Sequence, residues 1–129
     1  DVYKRQAKVS AYCAINRIER IAIGPLAGNP FPDATADFFS SMQQALSQGL
    51  DHKLEIVAPF SRLSKADVIE RGQLLGVPFE LTVSCMKPLE TKHCGRCSKC
   101  RERLLAFQHA GIPDPASYDF TPHDIVHGD

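Results

Sequence analysis

The chain has 129 residues, 43% of them hydrophobic, and a formal net charge of zero. That length suits one small domain or part of a larger one, and the balanced charge gives no reason to expect nucleic acid or an anionic membrane as an obligatory partner. No apolar run approaches the roughly 18 residues of a spanning helix and no signal-peptide pattern is present, so the expected setting is the reducing cytoplasm, where thiols stay available to metal.

Residues 1–6, Asp1-Val2-Tyr3-Lys4-Arg5-Gln6, lack an initiator Met and read as a translated library adapter, a processing scar set aside from fold reasoning. The expectation is a cut gene whose amino-terminal portion is missing. Val9, Cys13 (or Ala14) and Ile18 recur near helical spacing and predict a helix over 7–18. Cys13 falls on its apolar face and reads as a small buried hydrophobe rather than a metal ligand. The apolar, β-branched run over 20–24, ended by Gly24-Pro25, predicts a strand of a buried parallel sheet. Residues 24–33, rich in proline and glycine, form a stiff loop. Ligands of open α/β sheets collect beyond the carboxyl ends of strands, which makes Asn29 and Asp33 candidate substrate contacts. The alternative is a plain connection in which Asp33 or Thr35 caps the next helix. No phosphate-cradling G-x-x-x-x-G-K-[ST] occurs.

Phe38, Met42, Ala45 and Leu46 share one face of a helix predicted over 34–47, with Gly49 beyond its end. A second strand over 54–58 stops at Pro59, and two strands joined through a helix imply a right-handed parallel crossover. Ser64-Lys65-Ala66-Asp67 carries an N-cap serine with an acidic residue three later and opens a helix through Leu75, with Gly76 after it. Val68, Leu74 and Leu75 predict that this helix packs on the sheet. Lys65 stands at its first position, where a cation opposes the helix dipole at a cost of a few tenths up to ~1 kcal/mol. Such a charge invites an anionic ligand, for example a phosphate sharing the helix N-terminus; a solvated surface lysine is the alternative. Residues 77–83 read as extended.

Four of the five cysteines follow, spaced C-x8-C-x2-C-x2-C as Cys85, Cys94, Cys97 and Cys100. Cys94 and Cys97 can ligate from one tight turn that Gly95 permits, Cys100 from the start of a helix about one turn on, and Cys85 from across the intervening loop. Four thiolates closing a tetrahedron suit Zn²⁺ and leave no open coordination position, so the site reads as structural rather than catalytic. A disulfide is disfavoured by the short 94–97 span and the expected compartment. An iron–sulfur cluster is the other reading, since C-x2-C-x2-C also occurs in ferredoxin-type runs; the basic neighbours Lys99, Arg101 and Arg103 and the distant upstream Cys85 favour zinc. A final helix is predicted over 95–110, apolar along Leu104, Leu105 and Phe107, with Arg96, Lys99, Arg101 and Arg103 as a solvated basic face. His123 and His127, spaced i, i+4 in the polar tail, read as exposed rather than as ligands.

Several separated segments together carry a family resemblance: Ser64-Lys65-Ala66-Asp67, Leu75-Gly76-Val77-Pro78, Cys94-Gly95-Arg96-Cys97-Ser98-Lys99-Cys100 and Ala110-Gly111-Ile112-Pro113-Asp114-Pro115. Over residues 7–118 the chain closely resembles the carboxyl-terminal half of the 7-cyano-7-deazaguanine synthase family, also called the ExsB family. There a PP-loop ATP pyrophosphatase domain, an α/β sheet with helices on both faces, precedes a zinc-bearing helical part. The resemblance implies a partial parallel sheet with flanking helices over 7–60, a helical zinc-binding part over 61–118 and a tail over 119–129. It makes Cys85, Cys94, Cys97 and Cys100 the zinc ligands and suggests a homodimer. The implied reaction is ligation: ATP, with Mg²⁺, activates the carboxylate of 7-carboxy-7-deazaguanine as an adenylate, ammonia gives an amide, and a second activation with dehydration gives the nitrile. Such chemistry needs held phosphates, alignment and exclusion of water more than acid–base side chains. The family's S-G-G-x-D-S phosphate loop does not occur in this chain, so no catalytic residue is assigned and the chain alone is expected to be inactive.

Two departures bear on substrate. The family's Pro-Asp-Cys-Arg is Pro32-Asp33-Ala34-Thr35 here, and its Thr-Trp-Ser-Cys is Thr82-Val83-Ser84-Cys85. They point to a subgroup acting on a different carboxylate or base. Other readings are a PP-loop enzyme acting on tRNA, which the neutral charge disfavours, and a zinc-ribbon-like module docking protein or nucleic acid through the basic face of the last helix.

Overall fold

The computed structural model describes residues 2–120, and the chain divides into two compact units, 1–63 and 64–129. In the first, helix α1 (Val2–Ile15) precedes strand β1 (Arg20–Ala22), a 3₁₀ turn (Pro32–Ala34), helix α2 (Ala36–Gly49) and strand β2 (Glu55–Val57). The strands pair in parallel, with Arg20 opposite Glu55, Ile21 opposite Ile56 and Ala22 opposite Val57. The α/β architecture with a small parallel sheet and flanking helices is therefore as expected. Cys13, Ile21 and Leu54 form the core, with Ile23, Leu46 and Leu50 packed against it. Burying side chains of the size of Ile21 and Leu54 is worth about 1.5–3 kcal/mol each. Cys13 is indeed a core hydrophobe, 4% exposed.

Helix α2 supports β2 with side chains as well as packing. Gln43 Oε1 accepts from the Ile56 amide at 2.8 Å, and Ser47 Oγ accepts from the Leu54 amide at 3.2 Å. Both satisfy backbone donors that would otherwise be stranded along a strand of a two-stranded sheet. The Arg20–Glu55 pair across the ladder is 2.7 Å long but largely exposed, so it adds little.

Two helices of this unit differ from the sequence-based expectation. Helix α1 occupies 2–15 rather than 7–18, so residues 2–6, set aside as a scar, form its first turn and more. It ends early because Arg17 takes a left-handed conformation (φ 57°), with the Ile18 amide donating to Cys13 O at 2.8 Å and the Arg17 amide to Ala14 O at 3.3 Å. That is a Schellman-type stop without glycine. Its buried stripe is Gln6, Ser10 and Cys13, while Val9 and Ile18 are exposed. The Gln6 amide and Ser10 hydroxyl are enclosed with no hydrogen-bond partner among the described residues. In α2 the fully buried residue is Phe39 rather than Phe38, Ala45 is exposed, and Gly49 lies inside the last turn.

The second unit is built on helices α3 (Lys65–Leu74) and α4 (Ser98–His109), with a 3₁₀ turn at Phe79–Leu81 where an extended segment was expected. The capping box at Ser64 is complete. Ser64 Oγ accepts from the Asp67 amide at 3.1 Å, and the Asp67 carboxylate accepts from the Ser64 amide at 2.7 Å. Ile69 of α3, with Ala106 and Phe107 of α4, forms the core, flanked by Phe79, Ala110 and Ile112. Phe79 meets Phe107 edge-on at 5.1 Å. Of the residues expected to bury α3, Leu74 and Leu75 are 87% and 81% exposed and Val68 is half-buried; Ile69 is its buried residue, packed with α4. Helix α4 starts at Ser98 rather than at Gly95, and its buried face is Cys100, Arg103, Ala106 and Phe107 rather than Leu104, Leu105 and Phe107. His123 and His127 lie outside the described residues.

Candidate metal centre

The four cysteines come together from three pieces of backbone. Cys85 follows the 3₁₀ turn and an extended Thr82. Cys94 and Cys97 flank a tight turn, and Cys100 sits in the first turn of α4, where it is fully enclosed. The turn depends on Gly95, whose φ is +73° and whose missing Cβ would lie 1.5 Å from the Phe120 carbonyl oxygen. No other residue fits there without moving the chain. The loop between Cys85 and Cys94 closes on itself through paired backbone bonds between Leu89 and Lys92 at 2.9 and 2.8 Å.

All four Sγ atoms lie within 4.8 Å of one another. Cys97 and Cys100 are 3.4 Å apart, and Cys94 and Cys100 3.9 Å. Thiolates about 2.3 Å from a tetrahedral ion stand about 3.8 Å apart, so the donor set fits one ion bound by all four sulfurs. Backbone amides supply the supporting shell: Lys87 N and Cys94 N each donate to Cys85 Sγ at 3.3 Å.

The electrostatics favour a cation. Amides of Arg96 and Cys97 hold the Cys94 thiol below its usual range, and those of Met86 and Cys100 pull Cys97 down to about 6. Cys100 is pushed up to about 12, first by burial and then by the neighbouring thiols. A bound cation would favour the thiolate form of all four.

Arg103, on the same buried face of α4 as Cys100, anchors a polar clasp where a solvated basic face was expected. It is 7% exposed, and its Nε and one terminal nitrogen bind both oxygens of Asp114 at 2.8 Å. The other terminal nitrogen donates to Thr82 Oγ1 at 2.7 Å and Thr82 O at 3.1 Å, and Phe79 O accepts a further bond at 3.1 Å. Tyr118 Oη donates to Asp114 at 2.6 Å, and the Ala116 amide adds another bond at 3.0 Å. Burial works against both charges, yet the bonds to Asp114 hold Arg103 above its ordinary value, and those from Arg103, Tyr118 and Ala116 hold Asp114 below its own. A face argument could have found Arg103, which lies three residues after Cys100 and four before Phe107 on one side of α4.

The remaining candidates are held in different units. In the first, Asn29 Oδ1 accepts from the Phe31 amide at 3.0 Å, and Asn29 lines a cleft of about 320 Å³ beside Gln6, Val9, Ile23 and Gly24. Asp33 lies in the 3₁₀ turn, and Thr35, not Asp33, caps α2, its Oγ1 accepting from the Phe38 amide at 3.2 Å. In the second, Lys65 Nζ donates to Glu102 of α4, to which Lys99 also donates at 2.9 Å. These bonds, that from Lys65 first, hold the Glu102 carboxyl below its usual range.

Comparison with known proteins bears on this arrangement. The sequence profile of the family described as "Queuosine biosynthesis protein QueC" matches residues 7–111. A 7-cyano-7-deazaguanine synthase of Aliarcobacter butzleri is 44% identical over 90 residues, 68% of this chain and 39% of the relative. One from Thermoplasma volcanium is 43% identical over 96 residues, 71% of this chain and 39% of the relative. One from Halobacterium salinarum is 39% identical over 120 residues, 90% of this chain and 52% of the relative. The chain thus spans about half or less of the length of these relatives. With a matched region that takes in all four clustered cysteines, this chain belongs to the QueC family of queuosine biosynthesis proteins.

Proposed function

We propose that the cysteine tetrad binds one structural Zn²⁺ and that the protein carrying it is an ATP-dependent ligase making 7-cyano-7-deazaguanine from 7-carboxy-7-deazaguanine and ammonia. The observation that carries this is the closed four-thiol centre inside a chain of the QueC family, several of whose relatives bear the name of that synthase. Four thiolates at this sulfur spacing suit a tetrahedral Zn²⁺. With all four positions filled by protein it supplies no Lewis acid chemistry and serves to hold the turn at 94–97 against the first turn of α4.

The residues of this chain bind and orient rather than transfer protons. Asn29, at the carboxyl end of β1, offers an amide to a heterocyclic or carboxylate substrate entering the cleft it lines. Asp33 follows on the same loop. Lys65, beside the amino terminus of α3, is a candidate for a phosphate of ATP, with Mg²⁺ on the nucleotide; Glu102 is then the carboxylate that a phosphate would displace. The phosphate loop of such a ligase is absent from these residues. The setting we propose is the cytoplasm, with reduced thiols, and the assembly a homodimer. Among the described residues no helix is long and apolar enough to cross a membrane.

The test is to assay the complete protein of the natural gene with ATP, ammonium and 7-carboxy-7-deazaguanine, following AMP release and the nitrile. Formation of both is the expected result. AMP release only with another carboxylate would keep the ligase and replace the substrate, as the Ala34-Thr35 departure in the loop allows. No adenylate chemistry with any carboxylate would overturn the reading.

A further inference from the structure

The Arg103–Asp114 pair reaches every backbone segment that carries a metal-binding cysteine. Arg103 itself lies three residues after Cys100 on α4. Thr82, which accepts two of its bonds, lies three residues before Cys85. Tyr118, which donates to Asp114, belongs to a strand-like stretch paired with His93, the neighbour of Cys94. The His93 amide donates to Ser117 O and the Asp119 amide to His93 O, both at 2.8 Å, and the His93 and Tyr118 rings meet edge-on at 5.1 Å. Both members of the ion pair are only 5% exposed, so water cannot substitute for either.

We infer that Arg103, through Asp114, is a positioning residue that holds the three cysteine-bearing segments in the arrangement the metal site needs. The inference rests on the tetrad being the metal site but not on the ligase reaction. Its physical basis is that a buried, bidentate pair with all its oxygens engaged fixes three segments at once. The clasp anchors the backbone from which the sulfurs project, one step behind the amides that bond Cys85 Sγ, and loss of partners that orient metal ligands commonly weakens metal affinity by about 10–100-fold.

The test compares zinc affinity, measured by chelator competition, with the Co²⁺ absorption spectrum of the intact chain and its variants. Asp114→Asn keeps the shape of the pair and removes its charge; Tyr118→Phe keeps the ring on His93 and deletes one donor. Ile69→Val trims the core of the same unit without touching the clasp and serves as the control. We expect Asp114→Asn to weaken zinc binding by about tenfold or more and Tyr118→Phe by a smaller factor. Ile69→Val should leave binding unchanged, and saturated variants should still show the charge-transfer bands of four thiolates. If Asp114→Asn does not fold, Tyr118→Phe decides. Affinity in the folded clasp variants within about twofold of wild type, or a loss matched by Ile69→Val, would overturn the clasp alone. A wild type that takes up no zinc would overturn the metal assignment with it.

Discussion

Gly95 shows how much one residue can carry. Its backbone is left-handed, and the space where a Cβ would go is taken by the Phe120 carbonyl. Alanine would strain the backbone, destabilising by more than the ~1 kcal/mol that the same change gains at compatible sites, and would push Phe120 away beside the Ser117 and Asp119 bonds to His93. Gly95→Ala should therefore lower the melting temperature of the zinc-loaded protein and weaken zinc retention against a chelator. An unchanged melt in both states would contradict the packing. The need for glycine between two cysteines was readable from spacing, because a two-residue turn between metal ligands constrains only local backbone. The carbonyl above it was not, since Phe120 is brought there by long-range pairing. Arg103 was misread for the same reason: its partner Asp114 lies beyond the end of α4, and a basic residue among other basic residues gives no local sign of a buried acceptor.

At the scale of elements, ends were more legible than faces. The Ser64 cap was visible because its partner, Asp67, is three residues away, and both reciprocal bonds are made. Ser64→Ala should cost about 1 kcal/mol by losing the side-chain acceptor of the box, readable as a lower urea midpoint; an unchanged midpoint would mean that α3 contributes nothing to the cooperative unit. Faces depend on what an element packs against. Spacing alone put Val9 and Ile18 inward on α1, whereas the buried stripe is Gln6, Ser10 and Cys13. The same holds for α3, where Leu74 and Leu75 were assigned to a sheet and are exposed. Parallel pairing of β1 and β2, by contrast, followed from connectivity, which the order of elements contains.

For the molecule as a whole, the apolar cluster of each unit holds only three buried residues among those described, so polar devices must carry a large share of the stability of 64–129. The Arg103–Asp114 pair makes that share dependent on pH. Asp114 faces Arg103 and Tyr118, and their bonds hold its pKa below the ordinary value of 3.8 despite burial. Tyr118 is pushed up by burial and by the same hydrogen bond, so it stays a neutral donor across the range. A depressed carboxyl contributes stability that is fully present above its unfolded value and is lost as pH falls through the folded one. In metal-free protein, kept so by chelator, the Asp114 contribution should therefore appear as a fall in the urea midpoint below about pH 4, beyond any change from the thiols at higher pH. Protonation leaves the Arg103 charge buried without its partner, a loss of up to about 3–5 kcal/mol. Asp114→Asn should be less stable than wild type at pH 7 and should show a flatter decline below pH 4, because the group that titrates is gone. Acid slopes that run parallel in the two proteins would remove Asp114 from the response and leave the clasp without its electrostatic role.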